Sequence, residues 1–392
     1  MGSSTFSSKT GWATSPNELA LLLERLKRKG QAILDLSVSN PTQVSFKYLH
    51  PTLFEAFGKT KNLVYEPDPH GLKDARRSIQ DYYAEKGISL SKDQIFLTAN
   101  TSEAYSFVFR LLTVPGDTLL APQPSYPILD YLADLHDLKL LRYPLDEARN
   151  WQTDHGFFQN LDWKKIRVLL VVHPNNPSGN YVSENDQRMI EAFSKELSIP
   201  VIADEVFFDY TLKEKFQPKS FAGSENILTF TLSGISKVLG LPQMKLSWII
   251  VSGPEEARKE AIRRLEIISD TYLSVSTPIQ HALPDWMEKR EAIQHEILTR
   301  LGNNLKKLRA LSAGQNQVKV YEPEGGWVAV LELPDHRSDE AWALEILQRE
   351  KVLVHPGYFF DFEKSPYLVL SLLTREDIFE EGVRKLIHSV SE

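Results

Sequence analysis

The amino-acid sequence predicts an α/β fold, in which a mostly parallel sheet is covered by helices on both faces and a smaller α+β domain is formed from both chain ends. Short apolar runs at 168–172, 201–203, 227–231 and 248–251 are bounded by turn residues, which is typical of strands buried on both faces. Helical patterns separate several of these runs, and that alternation favours parallel strands. A different pattern of strands and helices follows residue 310, which indicates the second domain.

The first elements follow from helical spacing and stop signals. Residues 17–29 predict an amphipathic helix, because leucines recur at helical spacing and Gly30 is placed to end it. A short apolar strand is predicted at 33–38, where Asn40 and Pro41 stop it. The next predicted elements are a helix at 72–86, a strand at 94–97, a helix at 102–112, a strand at 118–121 and a helix at 125–135.

The later elements give the domain organisation. A helix at 184–197 lies among the central strands, and residues 286–310 predict one long, charged amphipathic helix. Three further strands, with helices between and after them, are predicted at 318–321, 327–333 and 367–372. We therefore predict a large domain at 45–285 and a small domain from 1–44 and 286–392, linked by the long helix. The first helix is placed in the small domain because the strand at 33–38 has no neighbour in the large sheet.

The composition is that of an ordinary globular protein and excludes several kinds of site. The 392 residues include 45 Lys and Arg against 52 Asp and Glu, a net charge of −7, which gives no reason to expect nucleic acid or an anionic membrane as a partner. No cysteine is present, so disulfides, thiolate zinc sites and cysteine nucleophiles are excluded. The apolar runs are too short to span a membrane, and no signal-peptide core follows Met1, so we expect a cytoplasmic protein.

Common catalytic motifs fail on spacing. Gly58-Lys59-Thr60 resembles the end of a phosphate-binding P-loop, but Leu53 stands where the first glycine is required. No G-x-G-x-x-G is present, and Val238 replaces the last glycine of a hydrolase nucleophile elbow. The histidines show no metal-ligand spacing. Dinucleotide binding, serine hydrolysis and metal hydrolysis therefore have little support.

Four polar clusters lie at the carboxyl ends of predicted strands, which is where open α/β sheets bind ligands. They are the helix start at 99–104, the turn at 174–179, Asp204 after its strand, and Lys237 in a loop of small residues. Taken singly, each has an ordinary structural explanation as a helix cap, a turn or a solvated lysine.

Taken together, the clusters match what pyridoxal phosphate requires. A lysine amine forms a Schiff base with the aldehyde, a carboxylate keeps the pyridine nitrogen protonated, and a helix start holds the phosphate. Tyr126, which follows another predicted strand, is placed to stack on the ring.

With these motifs, the sequence resembles the class I/II aminotransferases, the fold-type-one pyridoxal-phosphate enzymes, over nearly the whole chain. The resemblance implies that Lys237 forms the Schiff base with pyridoxal 5'-phosphate and that Asp204 pairs with the pyridinium nitrogen. It also implies a homodimer, with Tyr65 reaching the phosphate of the neighbouring subunit. The remaining implied contacts are Asn176 with the ring hydroxyl, Tyr126 with the ring face, and Asn100, Thr101, Ser102 and Ser236 with the phosphate.

Several positions depart from the family pattern. Phe207 replaces a tyrosine that donates to the ring hydroxyl, and Lys245 replaces an arginine that binds the phosphate. Gly234 replaces a phosphate-binding serine three residues before the lysine, although Ser233 is adjacent. The arginine that binds the substrate α-carboxylate falls at Val369, so either another cation binds the carboxylate or the substrate is not a standard α-amino acid.

The leading hypothesis is a transaminase that moves an amino group from an amino acid or amine to a 2-oxo acid. Lys237 would then act as the base that moves a proton, which requires its pKa to fall well below the free value of about 10.4. Phe207 and Val369 motivate a second hypothesis, a C–S lyase or decarboxylase with the same cofactor. A third hypothesis is a non-catalytic ligand-binding homologue. The sequence leaves the amino donor and acceptor open.

Overall fold

The helices and strands of the protein are given by a computed structural model, which describes residues 5–364 and 366–391. Residues 1–4, 365 and 392 of the predicted small domain lie outside the described residues. The helices are α1 (Glu18–Arg28), α2 (Lys73–Ala84), α3 (Thr101–Leu112), α4 (Ile128–Leu135), α5 (His155–Asn160), α6 (Glu184–Leu197), α7 (Ile235–Val238), α8 (Glu255–Tyr272), α9 (Thr277–Met287), α10 (Arg290–Ser312), α11 (Asp339–Glu350) and α12 (Glu376–Ser391).

The strands form a large sheet, a small sheet and a separate pair. They are β1 (Leu34–Asp35), β2 (Ile95–Thr98), β3 (Thr118–Gln123), β4 (Lys139–Asp146), β5 (Gln152–Thr153), β6 (Ile166–Val172), β7 (Val201–Asp204), β8 (Thr229–Gly234), β9 (Ser247–Ser252), β10 (Lys319–Tyr321), β11 (Val328–Glu332), β12 (Val352–Leu353), β13 (His355–Pro356) and β14 (Tyr367–Ser371).

The large sheet has the strand order β2-β9-β8-β7-β6-β3-β4-β5. Strands β4, β3, β6, β7 and β8 run parallel, whereas β9 is antiparallel to both of its neighbours. Strand β6 shows how both faces are covered. Val168 and Leu170 pack in the core with α3, α4 and α8, while Leu169 and Val171 pack in the core with α5 and α6. The predicted mostly parallel sheet with helices on both faces is confirmed.

The small sheet is antiparallel, with the order β10-β11-β14-β13. Strand β1 pairs in parallel with β12, and α1 packs against α11, so the N-terminal segment joins elements of the C-terminal region. This pairing supplies the neighbour that the strand at 33–38 lacks in the large sheet. The second, smaller sheet agrees with the predicted fold class, and the exact domain limits stay a prediction.

Some elements differ from the sequence predictions. The long helix at 286–310 is two helices, α9 and α10, separated by a turn in which the Lys289 N–H donates to the Trp286 carbonyl 3.0 Å away. The indole of Trp286 belongs to α9 and donates to the Leu53 carbonyl at 3.0 Å, a distant contact that no local pattern reveals. The patterns above also predict no β4 and no α8. Strand β4 lies towards a sheet edge with only Tyr143 buried, so it lacks a continuous apolar run.

Among the described residues, none of the helices is long and apolar enough to cross a membrane.

Candidate active site

A cavity of about 290 Å³ lies where the carboxyl ends of β6 and β7 face the small sheet. Residues from both chain halves line it, including Ser37 before the large sheet and Trp327 beside β11. The predicted site residues that line the cavity are Thr101, Ser102, Tyr126, Asn176, Asp204, Phe207, Ser236 and Lys237. The fold therefore brings most of the predicted site to one place.

Lys237 lines this cavity. It lies in the short helix α7 directly after β8, and the Tyr210 hydroxyl donates to its backbone carbonyl at 2.6 Å. Its Nζ lies 4.5 Å from the ring centroid of Trp327 and 5.0 Å from that of Phe207. Burial lowers the pKa of Lys237 to about 8, against the attraction of Asp204. A substantial fraction of the amine is therefore neutral near pH 8, as a nucleophile or base must be.

Asp204 ends β7 and is fixed by two hydrogen bonds. The Tyr105 hydroxyl of α3 donates to its Oδ2 at 2.7 Å, and the Val206 N–H donates to its Oδ1 at 3.1 Å. Burial raises the pKa of Asp204, while both hydrogen bonds and Lys237 oppose that rise. A positively charged group in the cavity would favour the ionised carboxylate of Asp204. The predicted pairing of Asp204 with a pyridinium nitrogen requires that ionised form. Tyr105 was not predicted from the sequence, although its place on the buried face of α3 was a usable signal.

Asn176 carries a polar atom that the protein leaves unpaired. Its Oδ1 is buried and has no hydrogen-bond partner among the described residues. The neighbouring Asn175 side chain donates to the Ser178 hydroxyl at 2.7 Å and to the Pro124 carbonyl at 3.1 Å, which fixes this turn. Buried amides are nearly always hydrogen-bonded, so an unpaired one in a cavity wall fits a polar ligand such as pyridoxal phosphate.

The part of the cavity that is predicted to hold the phosphate is formed by the start of α3 together with Ser236. Thr101 and Ser102 open this helix and line the cavity, where the free N–H groups and the helix dipole favour an anion. Asn100 is the helix cap: its Oδ1 accepts from the Glu103 N–H at 3.0 Å. Asn100 is not part of the cavity wall.

Two other residues predicted to contact the phosphate lie outside the wall of this chain's cavity. The Lys245 side chain is exposed, and its backbone has a positive φ of 53°. Tyr65 is 69% exposed. Its predicted role concerns a neighbouring subunit, which a single chain does not display.

The substrate side of the cavity is largely apolar. Val369, on β14, lines the wall, and the facing residue on β13 is His355, which also lines it. Burial lowers the pKa of His355. Among the described residues of the wall, Lys237 is the only lysine or arginine. Trp327 and His355 were not predicted as wall residues, because the small sheet brings them to the cavity from far along the chain.

Comparisons with known proteins agree with this arrangement. The model of the family "Aminotransferase class I and II" matches residues 31–380. The glutamate-pyruvate aminotransferase AlaA of Haemophilus influenzae is 26% identical over 376 residues, covering 94% of this chain and 93% of that protein. The alanine aminotransferase of Mycobacterium tuberculosis is 25% identical over 360 residues, covering 89% of this chain and 83% of that protein.

Solved structures confirm the fold. The alanine aminotransferase from Pyrococcus furiosus superposes with a TM-score of 0.88 at 22% identity, covering 95% of this chain and 96% of that one. The family match covers most of the chain and confirms the predicted family and the predicted aminotransferase class of enzyme. The motifs at the strand ends, the cavity that they line and the family match lead to one conclusion: this chain belongs to the class I and II aminotransferase family.

Proposed function

We propose that the cavity binds pyridoxal 5'-phosphate and that the enzyme transfers an amino group from an amino acid or amine to a 2-oxo acid. The observation that carries this proposal is the Lys237 amine, whose pKa burial lowers to about 8 in a cavity that also holds Asp204 and the unpaired Asn176 amide. The relatives described above are named glutamate-pyruvate and alanine aminotransferases, and those names fit a 2-oxo acid acceptor.

In this proposal, different residues bind the phosphate, the ring nitrogen, the ring hydroxyl and the ring face of the cofactor. Thr101, Ser102 and Ser236, which line the cavity at the start of α3 and in α7, would hold the phosphate, and Asp204 would pair with the ring nitrogen. The unpaired Oδ1 of Asn176 would accept from the ring hydroxyl. Tyr126 lines the cavity, is 48% exposed and would stack on the ring. When bound, pyridoxal phosphate supplies an electron sink for the electrons released as the substrate carbon loses its proton.

Lys237 has two tasks in this proposal. Its Nζ would anchor the cofactor, and the same amine, once free, would accept the proton of the substrate carbon and return it. The ring centroids of Trp327 and Phe207 lie 5.4 Å apart, and both rings lie beside this amine. Phe207 has no hydroxyl, so any hydrogen bond to the ring hydroxyl falls to Asn176.

The donor is defined only by class. Without an arginine at Val369, no guanidinium of the described wall faces an α-carboxylate, so amines and amino acids both remain candidate donors. His355 is the polar group opposite that position.

We also propose that the protein is a homodimer. Leu63 is 88% exposed, Val64 58% and Tyr65 69%, and a contiguous apolar surface of this kind is typical of a protein–protein interface. Sedimentation of the wild type at a monomer mass would contradict this assignment. The cytoplasmic location stays a prediction from the sequence.

The test compares wild type with Lys237→Ala, and with Lys259→Ala as a control that removes an exposed lysine of α8. After pyridoxal phosphate is added and excess removed, we expect visible absorbance with wild type and the control but not with Lys237→Ala. Identical spectra for wild type and Lys237→Ala contradict the proposal. A screen of amino acids and amines, each with and without a 2-oxo acid, then identifies the donor. Release of ammonia or carbon dioxide without an acceptor would favour the lyase hypothesis instead.

A further inference from the structure

Gly234 occupies a position where the structure has no room for a side chain. It ends β8 and pairs directly with Ser247 of β9. A Cβ placed on Gly234 would lie 2.2 Å from the Oγ and 2.8 Å from the Cβ of Ser247. The backbone of Gly234 is extended, with φ −179°, so space and not conformation requires the glycine. The hydroxymethyl group of Ser247 therefore fills the space into which a serine at 234 would project.

Ser247 lies near the start of α3, because it pairs with Thr98 at the end of β2. Ser247 lines that cavity together with Gly234, Ser236, Thr101 and Ser102. Although Ser247 is buried, its hydroxyl forms no hydrogen bond with the described residues. It is thus free to donate to a ligand.

Ser233 does not supply this hydroxyl. Successive residues of a strand point to opposite faces, so Ser233 and Gly234 face away from each other. The Oγ of Ser233 lies 3.5 Å from the Glu205 carbonyl oxygen, and Ser233 is not part of the cavity wall. The nearest serine in sequence is therefore turned away from the site.

We propose that Ser247 is a cofactor-binding residue, which donates to the phosphate in place of the serine that the family carries at position 234. This inference rests on the proposed use of pyridoxal phosphate. In this arrangement the hydroxyl comes from β9 and not from its partner strand β8, where Gly234 has no side chain. Apart from Lys237, the described wall holds no lysine or arginine, so neutral donors and the start of α3 must bind the anion. Each hydroxyl then matters, because hydrogen bonds to charged groups are the stronger ones.

The first experiment measures the affinity of the cofactor-free protein for pyridoxal phosphate and for pyridoxal, which lacks the phosphate. Quenching of tryptophan fluorescence reports binding, since Trp327 lies beside Lys237. Ser247→Ala should weaken pyridoxal phosphate binding about tenfold or more, and leave pyridoxal binding unchanged. Ser233→Ala is the matched control, because it removes a buried serine hydroxyl from the partner strand and should change neither affinity.

The second experiment moves the hydroxyl back across the strand pair. In Gly234→Ser/Ser247→Gly, the nearest atom left to the new Cβ is the Cα of residue 247 at 3.0 Å, which a small backbone shift accommodates. This double variant should bind pyridoxal phosphate more tightly than Ser247→Gly alone.

Three results overturn the inference: an unchanged affinity in Ser247→Ala, an equal loss for pyridoxal, or a double variant no better than Ser247→Gly. A loss through unfolding would affect pyridoxal equally and so counts against the inference. A wild type that binds neither compound refutes the proposed function as well, whereas tight binding by both wild type and Ser247→Ala refutes only the role of Ser247.

Discussion

Replacing Lys237 with methionine is expected to stabilise the cofactor-free protein near neutral pH. The side chains are similar in length, but methionine carries no charge into the cavity. Burial lowers the pKa of Lys237 from 10.5 to about 8, which means that the folded protein disfavours the ammonium form. Below pH 8 the wild type must nevertheless hold that charge, and the variant avoids the cost.

The size of the effect follows from the pKa difference. A base with a lower pKa in the folded state binds fewer protons when folded, so wild-type stability rises with pH between about 8 and 10.5. The variant lacks this dependence. The free energy of unfolding of Lys237→Met therefore exceeds that of the wild type by about 3 kcal/mol at pH 7, and by less than about 1 kcal/mol at pH 10. For a chain of this length, about 3 kcal/mol corresponds to a rise of about 4 °C in Tm.

Thermal unfolding of the cofactor-free proteins at pH 7 and pH 10 measures this difference. Lys259→Met, which changes an exposed lysine, is the control and should show no increase in Tm over the wild type. Pyridoxal phosphate should reverse the order, because a ligand that binds the folded state stabilises it and only the wild type retains the anchoring lysine. The reasoning is refuted if Lys237→Met is less stable than wild type at pH 7, or if its gain is the same at both pH values.

Three further predictions concern the surroundings of the site. Tyr105→Phe removes the hydroxyl that donates to Asp204, so the pKa of Asp204 should rise further. We expect kcat to fall about tenfold and the acid limb of the pH profile of kcat to move to higher pH. An acid limb at the wild-type position would contradict this prediction. Lys245→Ala should leave the affinity for pyridoxal phosphate nearly unchanged, because the side chain is exposed and outside the cavity wall; a tenfold loss in a fluorescence titration would place it at the phosphate after all. Burial raises the pKa of Glu205 to about 8, so the folded state binds more protons than the unfolded state between about pH 4.5 and 8, and wild-type stability should fall as pH rises through that range. Glu205→Gln should flatten this fall in unfolding curves, and parallel curves for the two proteins would refute the assignment.

Much of the fold followed from local patterns. The helix predicted at 184–197 has the bounds of α6, because Ser183 caps it and its apolar face is regular. The central strands lie within one to three residues of their predicted limits, since a strand buried on both faces needs a continuous apolar run. The break between α9 and α10 was not predicted, and the Trp286 indole beside it donates to the Leu53 carbonyl, a contact between distant segments that no local pattern shows.

The sequence by itself also predicted the residues of the site, because Lys237, Asp204, Asn176 and the start of α3 occur in local motifs at strand ends. Only the tertiary structure decided how those groups are supported. Tyr105 reaches Asp204 across 99 positions of sequence, and Ser247 takes the place of a side chain at Gly234 through strand register. A local pattern records which residues repeat along one element, but a contact between elements depends on how they pair and pack, which no single segment specifies.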